Sequence, residues 1–315
     1  MRFFHNALRL IADHSRWALI AGLVIGILVP VLADSVRPWV GYWIAVLLFL
    51  AALRIDPGEV AGTLQDYKHA GIFILVFQVL IPCLVAWFFI ETNITGPIAV
   101  ALLIVFASAP ISGSPGLTMI TGNNPAPTLR LLIATTALLP LTVFLPFSLM
   151  PVIGDMREVS WIAFRLFLII FAASFLAFTV RRLLMPDPSP DALKSIDGLT
   201  AVAMGMVVIG LMTGFGEAAI NRPTEILLIL VVAFTVCLGM QVLVWFLVKP
   251  FGLGDSRIAF AICSGNKNMA IFLVALPAAV TDPILLFIAC YQIPMYLTPT
   301  LLGKMYSNHK ASTSG

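Results

Sequence analysis

Lys267 lies in the run Ser264-Gly-Asn-Lys-Asn268, deep inside an apolar stretch of the chain. In a bilayer centre an ammonium costs about 2.5 to 3.5 kcal/mol on insertion scales, and from this depth it cannot snorkel to an interface. Something must compensate. Asn266 and Asn268 carry amide oxygens, Gly265 belongs to the same break, and a second interrupted segment, Pro110-Ile-Ser-Gly-Ser-Pro-Gly116, can offer backbone carbonyls. Two roles stand open for the lysine. It pins crossed helices together, or its ammonium enters and leaves a transport site.

Other polar groups fall at the same depth. Gln78, with Pro82 a turn later, needs partners in the membrane, either from a neighbouring helix or from an ion. Ser112, Ser114, Thr118 and Thr128 place hydroxyls around the interrupted segment, although hydroxyls in apolar helices often bond their own backbone. Gln241, Tyr291, Gln292 and Tyr296 are further candidates. Gly252-Leu-Gly-Asp255 spells the string of intramembrane aspartyl proteases, but that chemistry needs a second membrane aspartate to share the proton, and the chain has none. All four histidines fall in termini or a loop, which removes a membrane Ser/His pair and a histidine metal site. Cys83, Cys237, Cys263 and Cys290 all lie in apolar runs and read as small hydrophobes. No enzyme, no cofactor and no transition-metal site is therefore expected.

The elements that must hold these groups are membrane helices. Of 315 residues, 60% are hydrophobic and 10% charged, far below the quarter or so that a water-facing surface needs. A net charge of +3 without a basic run gives no footing for nucleic acid. The apolar runs predict ten spans: 17–33, 37–55, 70–91, 97–121, 128–151, 159–181, 196–214, 224–248, 256–279 and 283–303. Before them, Phe3, Phe4, Leu8 and Ile11 recur at helical spacing beside Arg2, Arg9 and Arg16, the pattern of an amphipathic helix over 1–16 lying in the interface. With the N-terminus inside, 13 of the 18 Lys and Arg fall on that side and four on the other, leaving Lys267 within a span. The positive-inside rule then puts both termini, including a tail from 304 to 315, in the cytoplasm.

Met185 to Lys194, with three prolines, reads as a linker near the middle of the chain, and the spans fall into two halves of five, 17–151 and 152–303. An odd number of spans per half inverts one half against the other. The helix breakers fall in the fourth span of each half, and matched interruptions in inverted repeats are a sequence pointer to a transporter's binding site.

These residues resemble the bile acid:sodium symporter superfamily, as a divergent, bacterial-type member. The resemblance rests on the amphipathic N-terminal helix, Gln78 and Pro82 in span 3, the Ser112 to Asn124 stretch of span 4, and Gly265 to Asn268 in span 9. It implies an all-α fold of ten helices as two inverted repeats, with helices 4 and 9 broken and crossed. A panel domain would come from spans 1, 2, 6 and 7 and a core domain from spans 3, 4, 5, 8, 9 and 10. It further implies an organic anion bound between panel and core at the crossing, with two sodium ions behind it. Gln78, Ser114 and Thr128 fall on the family's sodium-ligand positions.

Three positions depart from that pattern. Pro115 replaces the family's asparagine, Cys263 its ligand glutamate in span 9, and Lys267 a glutamine. One anionic ligand is lost and one cation gained. The expectation is a secondary transporter of a bile-acid-like or small carboxylate anion in a bacterial inner membrane, with sodium coupling weakened or replaced by Lys267 or by protons. Within transport, the competing reading is a cation/proton antiporter, which the absence of mid-span Asp or Glu disfavours. From another class, the competing reading is a membrane receptor or regulatory protein, which would bind without flux. The expected partners are the organic anion and the lipid bilayer, and the sequence does not give the oligomeric state.

Overall fold

The computed structural model of the chain describes residues 2–55 and 67–313. Met1, the last two residues of the expected tail, and the side chains of Arg2, Phe3, Phe4, Arg16 and Lys310 lie outside what is described. Among the described residues the chain is helical, and the one β-type contact is an isolated antiparallel bridge between Pro110 and Lys267.

In chain order the helices are α1 (Arg2–Asp13), α2 (Ser15–Leu28), α3 (Pro30–Val36), α4 (Val40–Arg54), α5 (Tyr67–Phe73), α6 (Ile81–Glu91), α7 (Pro97–Ala107), α8 (Ser114–Ile120) and α9 (Ala126–Thr142). They continue with α10 (Phe144–Ser148), α11 (Met156–Leu184), α12 (Pro190–Leu211), α13 (Phe215–Asn221), α14 (Pro223–Leu247), α15 (Ser256–Gly265), α16 (Ala278–Thr281) and α17 (Leu285–Thr313). Among the described residues, seven stretches are long and apolar enough to cross a membrane: Pro30–Arg54, Lys68–Glu91, Ala126–Ser148, Met156–Leu184, Pro190–Leu211, Pro223–Phe251 and Ala278–Ser307. They coincide with predicted spans 2, 3, 5, 6, 7, 8 and 10. The chain is a helical, multi-pass membrane protein.

The other three predicted spans are shorter helical pieces. Span 1 is carried by the 14 residues of α2. Span 4 divides into α7 and α8, and span 9 into α15 and a 3-10 segment, Met269–Val274. The first break follows from covalent geometry. Pro110 has no N–H and pushes Ala109, the residue before it, out of the helical region; α7 ends at Ala107, with Ser108 already extended at ψ 149°. Pro115 restarts the helix in its first turn, where a missing N–H costs nothing.

Two boundaries differ from expectation. The linker is only Met185–Ser189, because Ser189 caps α12 by accepting from the Ala192 N–H at 3.2 Å and Pro190 opens the helix. At the other end, α17 continues through Thr313 past the expected start of a tail.

The chain divides into two compact units. The first comprises residues 1–55 and 167–226, with α12 at its centre against α1, α2, α3 and α4. Glycines set its close approaches: a Cβ at Gly22 would lie 3.1 Å from the Gly205 carbonyl, and one at Gly198 would collide with the Leu8 carbonyl of α1. The helix expected to lie in the interface is thus docked on α12, with Leu8 buried. Ion pairs Arg9–Asp191 (2.8 Å) and Lys194–Asp13 (2.7 Å) decorate that contact, and Arg54–Asp197 (3.0 Å) decorates the contact of α4 with α12. They are largely solvent-exposed, so close backbone packing contributes more than charge. The second unit comprises residues 56–166 and 227–315 and contains both broken spans.

Candidate functional site

In the second unit the two breaks are hydrogen-bonded to each other. The Ile111 N–H donates to the Asn266 carbonyl at 2.9 Å and the Asn268 N–H to the Ala109 carbonyl at 2.8 Å, a two-bond antiparallel rung centred on Pro110 and Lys267. Pairing of this kind is what permits irregular backbone inside an apolar layer, since lone N–H and C=O groups there would be left unsatisfied.

Gly265 sets how close the second break comes to α14. A Cβ there would collide with the Cys237 carbonyl, and the Gly265 carbonyl accepts from the Tyr291 hydroxyl at 2.7 Å.

Lys267 is 2% exposed. Its Nζ donates to the Ser108 carbonyl at 3.0 Å, a group freed by the end of α7, and lies 5.7 Å from the centroid of the Phe73 ring. Among the described residues no carboxylate pairs with it. The compensation demanded by its burial is therefore one carbonyl and one aromatic face, both neutral.

The remaining predicted residues sit on elements packed around this crossing. Gln78 is fully buried in a seven-residue π-helical segment, Ile74–Leu80, an irregularity frequent at functional sites. Its Nε2 donates to the Thr135 carbonyl at 3.0 Å, while its Oε1 has no partner. Phe73 and Phe77 stack beside it at 4.8 Å and share a cluster with Phe260 and the buried Cys263. Thr118 and Thr128 are hydrogen-bonded to each other at 2.9 Å, and the Thr118 hydroxyl also reaches the Ser114 carbonyl.

Ser114 is buried and its Oγ has no partner. Ser112, Pro115 and Asn268 are half-buried. Asn266 does not give its amide oxygen to Lys267. That oxygen accepts from the Thr298 hydroxyl at 3.1 Å, and its Nδ2 donates to the Ile262 carbonyl at 2.9 Å. Cys263 thus lies in the aromatic cluster of Phe73, Phe77 and Phe260, Gln78 bonds the Thr135 carbonyl, Thr118 and Thr128 meet in one hydrogen bond, and Lys267 sits in the crossing itself.

Sequence reasoning did not single out Ser108, Phe73, Thr298 or Tyr306. Ser108 acts through its backbone, which carries no residue-type signal. Thr298 had one: a hydroxyl a turn after Pro294, in a helix with two internal prolines. Among the described residues no group of three or more His, Cys, Asp and Glu could hold a metal ion.

The unpartnered Ser114 hydroxyl has a direct consequence. Burying such a group without a hydrogen bond costs about 1 to 3 kcal/mol in proteins, so Ser114→Ala raises or preserves the thermal unfolding midpoint in detergent. A lowered midpoint would contradict the unpaired hydroxyl.

The chain matches no known family profile and no curated protein.

Proposed function

We propose that this protein is a secondary transporter of an organic anion, of the bile acid:sodium symporter type, working by alternating access at the crossing of spans 4 and 9. Lys267 carries the reading: a buried ammonium held at two paired helix breaks, with neutral groups alone around it and no pairing carboxylate among the described residues. Such a locus favours a carboxylate or sulfonate on the substrate, and helix interruptions at the membrane midplane are where transporters bind.

Two further observations support it. The first unit gathers spans 1, 2 and 7 with most of span 6, and the second gathers spans 3, 4, 5, 8, 9 and 10, the composition of a panel and a core. The basic partners of the ion pairs of α1, α4 and α12, Arg9, Arg54 and Lys194, all belong to the side that the charge count assigns to the inside, in keeping with cytoplasmic termini. With Lys267 and Cys263 at positions where the family carries a glutamine and a glutamate, the ammonium stands in for a bound sodium ion or exchanges its proton with the pathway.

Uptake into proteoliposomes under imposed Na⁺ and H⁺ gradients tests this, with a panel of bile acids, pantoate-like anions and keto acids. The expected result is anion uptake that a sodium gradient does not accelerate. Robust sodium-driven uptake that survives Lys267→Gln would sink the proposal, as would binding of an anion with no flux under any gradient.

A further inference from the structure

A chain of side-chain hydrogen bonds, separate from the Lys267 contacts, runs into the crossing. The Tyr306 hydroxyl donates to Gln241 Oε1 at 3.0 Å, Gln241 Nε2 donates to Thr298 Oγ1 at 3.1 Å, and the Thr298 hydroxyl donates to Asn266 Oδ1 at 3.1 Å. Asn266 Nδ2 then donates to the Ile262 carbonyl. All four residues are fully buried. The donors of these bonds run one way along the chain, which fixes the orientation of both amides and lets each bond polarise the next, while Gln241 Nε2 also donates to the Cys237 carbonyl and the Thr298 hydroxyl is shared with the Pro294 carbonyl of its own helix.

The far end is anchored as firmly. Tyr306 meets the Trp245 ring edge-to-face at 5.5 Å, and the Arg257 guanidinium lies 3.6 Å over that ring while its Nε donates to the Trp245 carbonyl at 3.0 Å. The near end is the residue that matters for the crossing, because the backbone carbonyl of Asn266 accepts from the Ile111 N–H and its side chain is held by Thr298 alone on the oxygen side.

Buried polar groups of this number serve poorly as plain packing, since an apolar set of the same volume would fill the space without the risk of an unpaired atom. They do specify one conformation where the helix ends: the Asn266 N–H still bonds the Ile262 carbonyl at 3.0 Å, but its own carbonyl leaves the helical path and turns to Ile111. We propose that Thr298, Gln241 and Tyr306 are positioning residues: a relay from α14 and α17 that fixes the backbone of Asn266 and so sets where Lys267 presents its ammonium.

The relay's effect on the crossing stands independently of the transport reading, and only its effect on flux rests on that reading. The test is amide hydrogen exchange at Ile111 and Asn268 in the full-length protein in lipid nanodiscs. Thr298→Val breaks two links at once, and about a tenfold or greater acceleration at those two amides is expected as local opening becomes easier. Thr298→Ser keeps the hydroxyl and restores the slow rate. Tyr306→Phe removes only the distal hydroxyl and gives a smaller acceleration at the same two amides; it carries the test if Thr298→Val does not accumulate.

Unchanged exchange in the variants, or acceleration spread evenly along α17, overturns the proposal. Acceleration at the crossing with anion uptake unchanged upholds the relay and removes the crossing from the transport pathway, so the two ideas fail separately.

Discussion

Lys267→Met is expected to lower the apparent affinity for the transported anion by one to two orders of magnitude while the protein stays folded. A charge-assisted hydrogen bond contributes about 1.5 to 3 kcal/mol, and about 1.4 kcal/mol corresponds to a factor of ten. On the stability side the terms oppose each other. Removing the ammonium leaves the Ser108 carbonyl without its donor, a cost of about 1 to 3 kcal/mol. It also removes a buried charge whose insertion costs about 2.5 to 3.5 kcal/mol.

Methionine keeps an unbranched chain beside Phe73, so packing is little changed. The expected signature is uptake lost with a thermal midpoint held or raised. If the lysine only pins the two breaks together, stability and uptake fall in parallel. Uptake kinetics and thermal unfolding on the same preparation separate the two roles left open by the sequence.

The second large effect is structural. Gly265→Ala is expected to lower the unfolding midpoint strongly and to loosen the crossing, because the added Cβ collides with the Cys237 carbonyl and comes within 2.7 Å of Gln241 Cγ. The first obstacle is backbone in the middle of α14 and cannot rotate away. Overpacking of a closely packed interior costs about 1 to 3 kcal/mol and more where the backbone must move.

Gly265 is also the residue whose carbonyl receives the Tyr291 hydroxyl, so displacement puts a second contact at risk. Gly239→Ala is the matched control. It lies in the same α14 with nothing within 4 Å of its added Cβ, and helix propensity alone favours alanine there by about 1 kcal/mol. Equal midpoints for the two variants would refute the close approach of α15 to α14.

Much of this was legible in the sequence because it rests on local chemistry. The breaks at Ser108–Gly113 and at Asn266–Asn268 announce themselves through proline, glycine, serine and asparagine in otherwise apolar runs. Lys267 stands out because burying a charge is expensive wherever the chain puts it. Gln78 and Ser114 were found as polar groups at the wrong depth, and both retain a buried oxygen without a partner.

What the sequence did not show is who bonds whom. Asn266 looked like a donor of oxygen to its neighbour Lys267, yet its amide is engaged by Thr298 in another helix. The π-helical turn around Gln78 has no residue-type signature, and the docking of α1 on α12 depends on a glycine, Gly198, that reads as an ordinary small residue of a span.

The sequence by itself determined a helical chain for the membrane, the positions of seven stretches long enough to cross it, the two places where helices must stop, and the single lysine that needs an explanation. Hydropathy, proline geometry and the cost of a buried charge act over a few residues and are written in residue order. Only the tertiary structure decided that the two breaks pair through Ile111 and Asn268, that the ammonium goes to the Ser108 carbonyl, and that Thr298, Gln241 and Tyr306 reach Asn266. Those partners lie from 32 to 159 residues apart in the chain. Their meeting is set by how close glycines let helices approach and by the need to satisfy every buried donor, and neither is visible along the sequence.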